Sequence, residues 1–428
     1  MRNESAMKFA INRLAIATAL LVLEVASVHA GPGDGIGVGP LVLSPYVDLM
    51  FAHDSNVYKT SDDKVDDTYL EPELGLRFSS SSDTNLLSLR GNLFFSDRAY
   101  SSEGNRDFQT YGDSVLLQIG NGRKSLIELI QSYRHIDEND RHAADIESTQ
   151  NLAGQMIEDS SALDLERQIH QLGALISRRM SDKLELGMSY RYFGAIYNDD
   201  SADRLGARAA GMPNGLDTDG HILQLDGALA LTDKTDATLT LGQGWQYQES
   251  TDGAAESTTA LLGLRTKRSE KLSARVGAGV QQFQRPEATG DTSEVSFNFN
   301  AAMDWFITEK LTFRCGGNNG AQWSAFYSGN GLEYISGWAG LGYRWKPSTT
   351  FSVRGVYRQD DYLDPVTHEG VTQDRKDNRM EGHARVDYLA PGDFLRVYLE
   401  LMADKVESNF DFVEYDEQRV IVGVNLRY

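Results

Sequence analysis

Ten arginines recur on the polar face of alternating segments: Arg77, Arg90, Arg191, Arg275, Arg314, Arg344, Arg354, Arg358, Arg385 and Arg396. Among them, on the same faces, stand Glu71, Glu73, Glu185, Asp226, Asp304, Glu381, Asp387 and Glu400. A guanidinium presents a planar fork that grips a carboxylate or sulfate group and stays charged at any ordinary pH. Two uses of such a set are open. The charges can pair across neighbouring strands and line a wet wall, as ordinary sheet stabilisers. They can also form a mixed-charge conduit in which arginines attract an anionic group and acids prevent tight trapping, since conduction needs sites that a solute can leave. Both can hold at once. Five aromatics, Tyr46, Phe94, Tyr334, Trp338 and Tyr398, share the polar parity. They read either as a track on which sugar rings stack or as packing inside the wall.

Bond-making chemistry has little to work with. The single cysteine, Cys315, excludes a disulfide framework and a Cys-based metal site, and its parity makes it a small apolar residue facing outward. His368-Glu369-Gly370 lacks the second histidine of a zinc protease motif. His383 and Asp387 share a face, but no serine can be placed against them to complete a hydrolase triad. The acidic pairs Asp62-Asp63, Asp66-Asp67, Asp199-Asp200 and Asp360-Asp361 match no EF-hand register and read as solvated loops. Bridging of neighbouring lipopolysaccharide through divalent ions is their alternative use. No catalytic set, metal or cofactor is assigned.

The elements that position these residues follow one rule. From about Leu41 onward the apolar pattern has a period of two, with no competing helical period. Val295, Phe297, Phe299, Ala301, Met303 and Trp305 alternate with Ser296, Asn298, Asn300 and Asp304. Met380, Ala384, Val386 and Tyr388 alternate with Glu381, His383, Arg385 and Asp387. About 18 such segments of roughly 10–15 residues can be marked, too long for a soluble sandwich and suited to tilted strands crossing a bilayer. Those near 107–119, 124–136 and 164–179 are the weakest in pattern. Tight turns such as Asn121-Gly122, Thr232–Thr235, Thr308-Glu309 and Pro391-Gly392 alternate strictly with long acidic links, among them 54–67, 137–163, 198–219 and 360–377. Short turns on one side and long loops on the other are the habit of outer-membrane barrels. Aromatics end the apolar face on both sides, as interfacial girdles do. The link 137–163, with Ala143, Ala144, Ile146, Leu152, Ala153 and Met156, is either a surface loop or a short helix folded into the lumen.

Composition agrees. The 428 residues carry 41 Lys and Arg against 62 Asp and Glu, a formal charge of −21, which argues against a nucleic-acid partner. The low mean hydropathy excludes a helical membrane protein but not a barrel, whose strands need only every second residue apolar. Arg2, Lys8 and Arg13 precede an apolar run from Leu14 to Leu23, and Val28-His29-Ala30 supplies a cleavage site. Residues 1–30 therefore read as a secretory signal cut near Ala30. Residues 31–40, rich in Gly and Pro, form a flexible periplasmic lead-in, and 41–428 form the barrel. The fold class is all-β: a transmembrane, antiparallel, up-and-down β-barrel in the cell outer membrane. At this strand number the lumen holds water and a solute. Its last segment, Val420, Val422, Val424, Leu426 and Tyr428, alternates with Arg419, Gly423, Asn425 and Arg427 and resembles the C-terminal signal strand that the barrel-assembly machinery reads.

The run Ser44-Pro45-Tyr46-Val47-Asp48-Leu49-Met50-Phe51-Ala52-His53-Asp54-Ser55-Asn56-Val57-Tyr58 resembles the opening of a group of outer-membrane barrels encoded with exopolysaccharide genes, the β-barrel porin 2 or EpsL-like proteins. The resemblance implies a pore that secretes a polysaccharide, working with periplasmic export proteins, and it carries no functional residues across. Outer-membrane lipid and lipopolysaccharide would surround it. Two other functions fit the pattern: a general diffusion porin for uptake of small sugars or acids, and a structural or adhesive surface barrel acting through its loops.

Overall fold

The computed structural model describes residues 35–428 except 63, 81–85, 105–106, 121–123, 137–166, 198–216, 249–253, 267–270, 286–292, 324–330, 369–370 and 412. The signal segment and the link 137–163 lie outside the described residues.

Alternation becomes structure directly. The strands are β1 (Ile36–Val38), β2 (Leu41–Asp54), β3 (Asp67–Ser80), β4 (Leu87–Tyr100), β5 (Phe108–Gly120), β6 (Ser125–Ile136), β7 (Arg167–Arg179), β8 (Leu184–Tyr197), β9 (Thr218–Ala230), β10 (Thr235–Gln248) and β11 (Ala254–Thr266). They continue as β12 (Leu272–Gln284), β13 (Ser293–Phe306), β14 (Leu311–Trp323), β15 (Gly331–Lys346), β16 (Thr349–Tyr362), β17 (Val366–His368), β18 (Val371–Gln373), β19 (Lys376–Leu389), β20 (Leu395–Ser408) and β21 (Tyr415–Arg427). Eighteen of these pair antiparallel in chain order, and β2 closes on β21 from Tyr46↔Arg427 to Asp54↔Arg419. The three segments with the faintest pattern form β5, β6 and β7. β1 folds back on β2 through Gly39-Pro40, pairing Ile36 with Leu43. β17 and β18 form a small hairpin within the link between β16 and β19.

The outer surface is apolar where a water-soluble protein would be polar. Leu49, Phe51, Leu93, Leu172, Leu262, Val280, Leu341, Val353 and Val422 are all exposed, on the outward parity of their strands. A strand of 13 residues rises about 40 Å and, tilted, still exceeds the ~25 Å apolar band of such a membrane. Closure removes the sheet edges that lipid could not satisfy. The two prolines inside strands respect the ladder. Pro45 precedes the first β2–β21 pair and offers only its carbonyl, to the Tyr428 amide at 3.0 Å. At Pro72 the β3–β4 register skips from Leu70↔Ala99 to Glu73↔Ser96, as a residue without an N–H requires.

The tight turns share a sequence device. Ser181-Asp182-Lys183, Thr232-Asp233-Lys234 and Thr308-Glu309-Lys310 each precede a strand. In each, the hydroxyl oxygen accepts the amide of the lysine, at 3.3, 3.1 and 3.2 Å. The side chain thereby closes the bend, as a short hydroxyl residue does in a turn.

Candidate functional site: the lumen

Side-chain size around the ring decides where the lumen opens. On β9 to β15 many inward positions between the arginines and aromatics are small or short: Thr238, Thr240, Gly242, Ser257, Thr259, Gly263, Gly277, Asn298, Asn300, Ser336 and Gly340. On β2 to β5, β20 and β21 they are large: Tyr46, Tyr69, Phe94, Arg98, Tyr100, Phe108, Tyr398 and Arg419. A cavity of about 1590 Å³ accordingly lies off the barrel axis, lined from β6 round to β20 and by no residue of β2–β5 or β21.

The filled arc is packed with charge and aromatic rings in alternation. Arg98, 1% exposed in its side chain, donates to Glu71 at 2.6 Å and lies over the rings of Tyr69 and Phe108 at 4.3 and 4.4 Å. Tyr46 donates its hydroxyl to Glu73 at 2.7 Å under the guanidinium of Arg77, which is 4.6 Å from its ring centre. Asp48 accepts from Tyr398 at 3.4 Å and from Asn425 at 3.1 Å. Arg419 is buried between Glu417 and Asp54. Rings this close to the backbone need glycines opposite. A Cβ on Gly75 would fall within the Tyr46 ring, and one on Gly423 within the Tyr398 ring. Gly75 and Gly423 are the register partners of those tyrosines.

The open arc is basic. Among the described residues its lining holds eleven Arg and Lys against seven Asp and Glu, in a chain whose total charge is −21. Of the residues singled out by parity, Arg191, Arg275, Arg314, Arg344, Arg354, Arg358, Arg385, Glu381, Glu400, Tyr334 and Trp338 border this cavity. Arg77, Arg90, Arg396, Asp387 and Tyr398 face inward on β3, β4, β19 and β20, outside its lining. Several arginines are held by acids: Arg314 by Asp304 at 3.2 Å, Arg358 by Asp360 at 2.7 Å, and Arg385 by Asp387 and Glu400, both at 3.0 Å. Arg396 reaches Asp387 at 3.1 Å, and Arg344 donates to the Glu309 carbonyl at the tight-turn rim at 2.8 Å. His383 sits between Glu400 (3.4 Å) and Glu381 (4.0 Å), while Asp387 is engaged by arginines.

Each of the five aromatics picked out by parity has an arginine over it: Arg77 over Tyr46 as above, Arg134 over Phe94 at 5.6 Å, Arg358 over Tyr334 at 4.8 Å, Arg354 over Trp338 at 5.9 Å, and Arg385 over Tyr398 at 3.9 Å. Such stacks are worth about 0.5–2 kcal/mol each and fix the guanidinium plane. Parity reading passed over Arg98, Arg167, Arg265 and Arg379. Arg265 joins Glu185 at 3.2 Å and Asp236 at 3.1 Å across the cavity wall. The signal for it was present, since Leu262 and Leu264 point outward and put Gly263 and Arg265 inside. Among the described residues no cluster of His, Cys, Asp and Glu is arranged to hold a metal.

The opening run compared above with exopolysaccharide barrels has a structural part to play. Asn56 is fully buried; its Nδ2 donates to the carbonyls of Thr60 at 2.8 Å and Asp416 at 2.9 Å. Ser55 donates its amide to Gln418 at 3.0 Å. The run thus ties the first long link to the start of the last strand, beside the closing seam.

Comparison with known proteins completes the description. Residues 242–428, from within β10 to the C-terminus, match the family described as "Putative beta-barrel porin 2". No curated protein matches the chain in sequence. Similar solved structures include OpdQ of Pseudomonas aeruginosa, at 14% identity over 90% of this chain and 98% of that one, with a TM-score of 0.45. They also include a BenF-like porin from Pseudomonas fluorescens Pf-5, at 11% identity over 91% and 100%, with a TM-score of 0.47. The Pseudomonas aeruginosa protein OpdK, solved with vanillate, is 12% identical over 90% and 99%, with a TM-score of 0.43. The closed eighteen-stranded wall, its apolar outside and the family match together make this chain a porin-like barrel of the outer membrane.

Proposed function

We propose that the barrel is a diffusion channel selective for small anionic solutes, organic acids among them. The observation that carries this reading is the basic arc: eleven cationic side chains against seven anionic ones around the open part of the lumen, inside a strongly acidic chain. A low-dielectric wall focuses that local field on the solute path. The arginine forks suit carboxylates, and the interleaved acids keep each site weak enough to leave. Because arginines cover the ring faces of Tyr334, Trp338 and Tyr398, a passing solute meets guanidinium first. Outward passage of an exopolysaccharide rests on the resemblance alone: its opening run packs as a loop anchor, and the description of the family matched over 242–428 speaks only of a porin.

In planar bilayers under a KCl gradient, the reversal potential should report anion preference. Replacing Arg275, Arg344 and Arg354 together with glutamine should move it toward cations. An unchanged potential would remove the arginine wall from the solute path, and block by added polysaccharide but not by small acids would favour export.

A further inference from the structure

One wall of the barrel is paired over only part of its height. β13 and β14 share seven register pairs, from Phe306↔Thr312 to Asn300↔Asn318. Every other neighbouring pair in the ring has nine to fourteen. Beyond Asn300, on the side of the long loops, β13 remains paired with β12 and β14 with β15, but not with each other. The split begins six residues above the tight-turn end of β13, so it spans the outer half of the apolar band.

Two carboxamides stand in for the missing ladder. Asn319 accepts the Phe299 amide at 2.6 Å and donates to the Phe297 carbonyl at 2.8 Å. Gln281, on the inner face of β12, accepts the Ala321 amide and donates to the Ala321 carbonyl, both at 2.9 Å. The end of β14 has therefore swung inside β13, onto β12, about the run Gly316-Gly317-Asn318-Asn319-Gly320. Backbone in lipid must be satisfied, and a side-chain amide can do so while remaining far easier to exchange than a ladder. The open cavity reaches this place: Gln281, Asn298, Phe299, Asn318 and Asn319 line it. On the lipid side, Val295 and Phe297 are 70% and 59% exposed.

We infer that the β13–β14 split is a lateral opening between the lumen and the outer leaflet, taking an amphiphile with a hydroxyl-rich head and an apolar tail. The carboxamides offer donors and acceptors to hydroxyls without fixing a charge, while Val295 and Phe297 receive the tail. This solute class goes beyond the small anions proposed for the bore.

Continued by two steps, past Phe299 and Asn319, the β13–β14 register would join Asn298 to Gly320. A Cβ on Gly320 would lie 3.1 Å from the Asn298 Nδ2, so side chains at the two positions meet, and loss of free thiol on oxidation reports the bridge between the cysteines. Asn298→Cys with Gly320→Cys, in a Cys315→Ala background, is recorded in single channels with octyl maltoside below its micellar concentration, and with maltose as the head alone. Oxidation should lengthen the octyl maltoside block about tenfold, by closing the sideways exit, and leave maltose block unaltered. Equal octyl maltoside blocks in the oxidised and reduced states would overturn the inference. A second measurement needs no variant: the Phe297 and Phe299 amides should exchange hydrogen at least tenfold faster than Ala301 and Met303, and equal protection would also overturn it. Neither readout depends on anion selectivity, so this inference and the proposed function fail separately.

Discussion

Tyr398 lies flat across Gly423, and Tyr46 across Gly75. Each tyrosine is buried although it points to the inside of a pore. Their neighbours Arg385 and Arg77 complete a three-part stack of backbone, ring and guanidinium. Gly423→Ala should cost about 1–3 kcal/mol by overpacking, read as a lower temperature for the heat-induced mobility shift of the barrel in detergent gels. Adding Tyr398→Ala should recover part of that loss, because the clash disappears with the ring. Arg98 is a sharper case. Arg98→Ala leaves Glu71 with a buried charge and should cost about 3–5 kcal/mol, whereas replacing both with apolar residues of similar size should cost much less. Unfolding midpoints of the single and double variants decide it.

At the scale of the strand, most of the architecture is legible in period two. Lipid selects every second residue, so β2 to β16 and β19 to β21 announce themselves even where β5, β6 and β7 are faint, while the small β17–β18 hairpin lies in what reads as a long link. The tight turns were visible as short gaps, while their repeated form, a hydroxyl residue, an acid and a lysine, is clear only once Ser181, Thr232 and Thr308 are seen capping the bend. Parity placed the arginines on the lumen side, but it did not say which of them border open space. That depends on side-chain volume summed across neighbouring strands, which no single segment shows. The split at β13–β14 was hidden for the same reason, since Asn319 and Gly320 look like strand residues until their partners are known. The buried Asn56 is another non-local feature, linking positions 360 residues apart. Asn56→Ala would strand the Thr60 and Asp416 carbonyls and should cost about 1–3 kcal/mol. Limited proteolysis should then cut within residues 57–66 before any other described loop; unaltered resistance would show that the link is held elsewhere.

For the molecule as a whole, the sign of charge is sorted by location. The chain is acidic in total and its open interior basic, an arrangement that no overall composition predicts. The barrel also divides by bulk: tyrosines, phenylalanines and buried ion pairs crowd β2–β5 and β21, while on β9–β15 many short side chains stand between the arginines. The stiff side also contains the ring's closure, where Tyr46 to Asp54 meet Arg427 to Arg419. Open volume and tight packing are consequently assigned to opposite sectors of the same cylinder. A pore engineer who wished to resize the aperture or reverse its preference has a sector of short residues to rewrite, with the reinforced sector left to keep the cylinder shut.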